Sequence, residues 1–211
     1  MIFTTVISVI SKIKFKIMTK GRLEAFSDGV LAIIITIMVL ELRAPHGSDI
    51  FDLLPIFPKF ASYILSFIYI GIYWNNHHHL LHTAQNINGG ILWSNLHLLF
   101  WLSLIPFTTS WIGETNFVSF PMALYGFVLL MSAISYFILQ QRIIHRHGID
   151  SALSKAVGKD YKGKISLILY VFAIPLAFVF VWAAGAIYII VAGIWLIPDK
   201  RIEKQLSKSK D

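Results

Sequence analysis

Long apolar runs separated by short polar ones organise this chain. A helix needs about 20 apolar residues to cross a hydrocarbon core of about 30 Å. Runs of that kind fall at roughly 23–42, 57–81, 91–112, 118–140, 164–182 and 184–198. The pattern predicts an all-α membrane protein with six transmembrane helices. Only Ala183, Ala184 and Gly185 suggest a turn between the last two runs; the alternative is one long stretch folded back as a re-entrant hairpin. Pro106-Phe107 predicts a kink in the third span and Pro175 another in the fifth, since proline cannot donate to the helix ladder.

Composition agrees. The chain of 211 residues is 56% hydrophobic and 14% charged, where soluble domains carry about a quarter charged residues. The absence of cysteine excludes disulfides, thiol catalysis and Cys-ligated metal sites. The formal charge of +7 raises the question of nucleic acid, but its distribution answers it. Lys12, Lys14, Lys16, Lys20 and Arg22 precede the first span. Arg142, Arg146, Lys155, Lys159, Lys162 and Lys164 join spans four and five. Lys200, Arg201, Lys204, Lys208 and Lys210 form the tail. With six spans all of these share one face, leaving only Arg43 and Lys59 opposite. The positive-inside rule makes the rich face cytoplasmic, with both termini there, in a cell membrane. Five spans would put the basic tail outside. Topology thus accounts for the basic charge, and no nucleic-acid partner is expected. The outer loops carry Glu41, Asp49, Asp52 and Glu114. A weakly acidic mouth would concentrate cations, although solvated loop charges are the simpler reading for any one of them.

The expected organisation is a six-helix domain over 18–200, a basic cytoplasmic tail over 201–211, and an N-terminal segment 1–17. That segment reads either as an interfacial anchor or as residues upstream of a start at Met18, and receives no function. The loop HRHGIDSALSKAVGKDYKGK holds no phosphate-binding motif, catalytic triad or paired carboxylates, so no enzyme is expected.

The first span, RLEAFSDGVLAIIITIMVLEL, concentrates the polar chemistry at its start: Arg22, Glu24, Ser27 and Asp28. Ionisable groups at membrane depth persist where they face protein or a water-filled cavity. At about 100° per residue, Phe26, Val30, Ile33, Thr36, Ile37 and Leu40 form one stripe, with Thr36 its single polar member. Asp28 lies about 140° from Ile33 and Ser27 about 120° the other way. Either the stripe faces lipid while the Ser27/Asp28 side faces protein, or the stripe lines a narrow pore and the polar side bonds to neighbouring helices. Helical geometry alone does not choose.

Span two contains YWNNHHHLLH. Trp74 with His77 or His78 is expected to hydrogen-bond to Ser27 and Asp28, since spans one and two run oppositely and bring these clusters to the same depth. Asp28 is then buried and satisfied. Asn95, which enters span three from the same side, is expected to join them or simply to glue helices together. His78 and His82 stand i,i+4 as zinc ligands can. No carboxylate or cysteine accompanies them within the span, so no metal site is assigned; proton sensing is the other use of such imidazoles. Trp93, Trp101, Trp111, Trp182 and Trp195 read mostly as interface anchors.

Arg22-x-x-x-Phe26-Ser27-Asp28, the GVLAIIITIMVLEL that follows, the six-span layout and Tyr73-Trp74-x-x-His77-His78 resemble the bacterial branch of the transmembrane protein 175 family, the lysosomal and bacterial potassium channels. The resemblance covers roughly residues 18–200. It implies a homotetramer in the bilayer whose first helices line a central pore, with no TVGYG filter; this chain has none. It implies that Ile33, Ile37 and Leu40 form a hydrophobic constriction and Thr36 a hydroxyl layer. It implies that Arg22, Phe26, Ser27, Asp28, Trp74, His77, His78 and Asn95 form a polar network holding the pore helix. The implied activity is passive, weakly selective potassium permeation without a cofactor, potassium being the permeant ion. The alternative is permeation of protons or other monovalent cations, as a leak or by a transporter. A transporter favours inverted repeats, and no internal repeat is visible.

Overall fold

In an apolar medium each backbone N–H and C=O must find its partner within its own segment, and the helix is the single-segment solution. The computed structural model describes residues 19–84, 86–148, 154 and 160–196. Among these, the α-helices are α1 Lys20–Leu40, α2 Phe57–Thr83, α3 Gly89–Ser103, α4 Ile105–Glu114, α5 Ser119–His147, α6 Tyr161–Val179 and α7 Val181–Leu196. A 3-10 segment, Ile50–Ile56, leads into α2, capped by Asp49 and Asp52 in a reciprocal capping box. No described residue lies in a strand. The expectations for segment 1–17 and tail 201–211 lie outside the described residues.

Helices α3 and α4 are two halves of one crossing, so the fold is a six-span bundle. Five stretches, α3 and α4 counted together, are long and apolar enough to cross a membrane; α7, with 16 residues, is shorter. The kink expected in the third span is a full break at Leu104. Pro106 has no N–H to donate, and its ring crowds the carbonyl four residues back. The helix therefore stops at Ser103 and restarts, Thr108 N–H bonding Leu104 O at 3.2 Å.

The turn between the last two spans is not at Ala183–Gly185. Those residues lie inside α7, and the break is the single extended residue Phe180. Its N–H closes α6 on Leu176 O, and its carbonyl opens α7 by accepting from Ala183 N–H. Small residues that read as a turn are instead a packing surface: Ala184 is buried. The two helices return on each other, since Trp195 Nε1 donates to Ser166 Oγ at 2.9 Å across 29 residues of sequence.

Packing places α1 at one side of the bundle, against α2, α3 and α4, and the α6–α7 hairpin at the other, against α5 and α2. Lys20 and Arg22 of α1, Arg142 and Arg146 of α5 and Lys162 and Lys164 of α6 mark one end of the bundle, called here the basic end. Between the two sides runs a hydroxyl-rich core. Tyr69 Oη donates to Tyr188 O (2.5 Å) and receives from Tyr170 Oη (3.1 Å), while Ser66 links Thr109 (2.6 Å) to Tyr125 (3.0 Å). Such bonds supply the attraction between helices that lipid-like side chains do not. Two glycines permit close approaches between helices. A Cβ on Gly126 would lie 2.0 Å from Tyr188 Oη, and one on Gly113 would lie 2.6 Å from Lys59 Cα.

Candidate functional site

One face of α1 is covered and the other bare. Leu23, Ser27, Leu31, Ile34 and Met38, at helical spacing, are buried against α2, α3 and α4. The opposite stripe is open. Phe26 is 49% exposed, Ile33 60%, Ile37 44% and Leu40 73%. Thr36 is exposed with them and Val30 is half-buried at the margin. Thr36 Oγ1 donates its proton to Ala32 O (2.9 Å). Its oxygen lone pairs therefore remain free to accept, or to face a cation.

Three attachments fix this helix. At the basic end Lys20 Nζ donates to His82 O of α2 (2.7 Å) and pairs with Glu24 (3.8 Å). At the far end Ser110 of α4 donates to Glu41 (3.2 Å). Between them lies the polar cluster. Trp74 Nε1 donates to Asp28 Oδ1 (3.0 Å), Asn95 Nδ2 donates to Ser27 Oγ (2.9 Å), and His77 Nε2 sits 2.6 Å from Asn95 Oδ1. Ser27, His77 and Asn95 are essentially inaccessible to solvent.

The proton positions follow from one another. Ser27 Oγ gives its proton to Leu23 O (2.9 Å), so towards Asn95 it accepts. That fixes the amide with Nδ2 on Ser27 and Oδ1 on His77. A carbonyl oxygen only accepts, so His77 Nε2 carries the proton.

The structure thus brings Ser27, Asp28, Trp74, His77 and Asn95 together. Trp74 reaches α1 directly, whereas His77 reaches it only through Asn95. His78 does not hydrogen-bond to α1; its exposed ring stacks loosely near Trp74 (6.5 Å between centroids) and His82 (6.3 Å). Asp28, expected to be buried, is exposed within the protomer, because α2 covers only the flank of α1 that Trp74 reaches. Arg22 and Phe26 stand on the open side of α1. Among the described residues no group of three or more His, Cys, Asp or Glu gathers as a metal site. Trp101 and Trp195, read from sequence as anchors, give their indole protons to His97 (3.0 Å) and Ser166 (2.9 Å) within the bundle.

Sequence reasoning missed the two end attachments and the tyrosine core. Only the Lys20/Glu24 spacing was visible in advance; the partners of Lys20 on α2 and of Glu41 on α4 depend on tertiary register.

Comparison with known proteins places these features in context. Residues 22–106, which hold α1 from Arg22 onward and the whole polar cluster, match the family model of the endosomal/lysosomal potassium channel TMEM175. A potassium channel of Chryseobacterium sp. is 59% identical over 192 residues, covering 91% of this chain and 100% of that protein. A potassium channel of Chamaesiphon minutus is 29% identical over 82% of this chain and 91% of its own length. The crystal structure of a lysosomal potassium-selective channel TMEM175 homolog from Chamaesiphon minutus superimposes with a TM-score of 0.73 at 27% identity, over 85% of this chain and 97% of that one. The endosomal/lysosomal proton channel TMEM175 of Homo sapiens is 33% identical over 39% of this chain and 19% of its own length.

Proposed function

Because this chain belongs to the TMEM175 potassium-channel family, we propose that four copies of it surround a pore lined by the open stripe of α1. It is a multi-pass membrane protein and a channel for potassium, not an enzyme. In our reading Ile33, Ile37 and Leu40 form hydrophobic rings that dewet and narrow the path, as apolar constrictions do. Thr36, about 4.5 Å along the axis from Ile33, contributes a ring of hydroxyl oxygens that replaces part of an ion's water shell. With no carbonyl filter, discrimination between potassium and sodium is modest. The polar cluster of Ser27, Asp28, Trp74, His77 and Asn95 holds α1 in register and stays out of the ion path. The basic end faces the cytoplasm of the cell, following the positive-inside rule.

One observation carries this reading: α1 is fixed at both ends and in the middle, yet leaves one continuous side uncovered by its own subunit. Lipid could cover such a face, but would not require three polar attachments on the side away from it. The test is potassium flux from liposomes, read as proton uptake through a protonophore. Ile33→Asn should wet the constriction and raise flux with poorer selectivity. Thr36→Ala should lower potassium preference without impairing assembly. Unchanged flux and ion preference in both variants would remove the stripe from the pore. Proton permeation is the second reading, favoured by the similarity to the human proton channel; it predicts acid-driven flux without the protonophore.

A further inference from the structure

On the side of α2 away from α1, the bundle holds a partly open cavity of about 110 Å³. It lies between α2, α5 and the α6–α7 hairpin, towards the basic end. Aromatic rings form much of its wall, among them Tyr73, Tyr136, Tyr170 and Trp195; Asn76 and Gln140 line it as well. Two of these side chains are unsatisfied. Tyr73 is 9% exposed and Gln140 6%, yet neither the phenol nor the amide has a hydrogen-bond partner among the described residues. No fully sealed side-chain nitrogen or oxygen in the described residues lacks a partner, so these two groups open onto the space they line. A buried polar group left without a partner is costly. Bonded groups surround them: Asn76 Nδ2 donates to Ile72 O (2.8 Å), and Tyr136 Oη donates to Asn76 O (3.2 Å).

We propose that this cavity is a binding site for a small neutral aromatic amphiphile: one ring with a hydroxyl or amide that bonds to Tyr73 and Gln140. The size is of the right order: a closed apolar cavity of about 150 Å³ takes up benzene, and this one, at about 110 Å³, is open at its rim. The walls suit a ring face to edge. At the rim Asp160 and Lys164 carry opposite charges, which gives an ion of either sign no advantage. An acyl chain would fill the volume but leave both polar groups unpaired.

The position gives such a ligand leverage. Tyr73 and Asn76 share one helical turn with Trp74 and His77, and the adjoining face of that turn holds Asp28 and, through Asn95, Ser27. Occupancy therefore bears on the segment of α2 that positions α1. That this changes ion flux rests on the pore reading above; binding does not.

The probe is 4-fluorophenol, followed by fluorine NMR on the full-length protein in detergent. Wild type should show a saturable bound signal. Ala133→Phe, which fills the cavity from its wall, should abolish it. Tyr73→Phe, which removes a single hydroxyl and keeps the test sound should the larger substitution not assemble, should weaken binding about fivefold, the worth of one net hydrogen bond. An unsaturable signal, or one equal in wild type and Ala133→Phe, is detergent partitioning and overturns the proposal. So does unaltered affinity in Tyr73→Phe. Absence of binding alongside a copurifying phospholipid that Ala133→Phe releases would assign the cavity to an acyl chain instead. Flux measured with and without 4-fluorophenol separates the two claims: binding without any conduction would fault the pore reading and leave the site standing.

Discussion

Asn95→Leu tests the polar anchor of α1 most sharply. The substitution keeps the side chain's branching and heavy-atom count and removes both amide bonds. His77 is 2% exposed, and its Nε2–H then has no acceptor; orphaning a buried donor costs about 1–3 kcal/mol. Loss of the bond to Ser27 adds about 0.6 kcal/mol, the average for interhelical bonds in membranes. The total is about 1.6–3.6 kcal/mol per subunit. Ser27→Ala should cost less, about 1 kcal/mol, because the serine proton is already engaged within α1 and only one amide proton of Asn95 loses its partner. Denaturant unfolding in mixed micelles measures both. His77→Phe in the Asn95→Leu background removes the orphaned donor, so the double variant should be more stable than the sum of singles by about 1 kcal/mol or more. Equal costs for Ser27→Ala and Asn95→Leu, or strict additivity with His77→Phe, would refute the chain of bonds and proton positions described above.

At the second anchor, Asp28→Asn keeps an acceptor for the Trp74 indole and should lower stability by about 1 kcal/mol with little change in conduction, whereas Trp74→Phe removes the donor and should lower it more; thermal unfolding and liposome flux compare them, and a stable Asp28→Asn channel with altered conductance would put Asp28 in the ion path. Gly126→Ala drives a methyl into Tyr188 Oη, breaks its bond to Met122 O (3.2 Å), and should destabilise by about 1–3 kcal/mol, the usual result of overpacking; an unaltered melting temperature would mean that α5 and α7 can separate freely.

The six apolar runs and their order were legible in the sequence because span length is set by bilayer thickness. The stripe on α1 was legible too, since helical periodicity fixes which residues share a face. What periodicity left open was which side of α1 the subunit covers: that is decided by the partners of Ser27 on α3 and Asp28 on α2. His77 was visible as a polar residue at the right depth, but not its dependence on Asn95, since two adjacent rings, His77 and His78, read alike until α2 is rotated against its neighbours. The misplaced turn at Ala183–Gly185 has a similar origin. Alanine and glycine mark both turns and close packing, and Met122, brought within 3.6 Å of where a Cβ on Gly185 would lie, shows that packing is its use here.

The central claim is that the open stripe of α1 faces ions, and cysteine accessibility tests it most directly, because the chain has no cysteine of its own. Cysteine placed at Ile33, and as controls at buried Ile34 on α1 and at exposed Phe172 on α6, should be compared by potassium flux before and after cadmium or a charged thiol reagent. A narrow ring of four thiolates binds a soft cation tightly. The account predicts block of Ile33→Cys and unaffected flux through wild type and both controls. Flux through a stable Ile33→Cys channel that neither reagent alters, or block of Phe172→Cys instead, would contradict it.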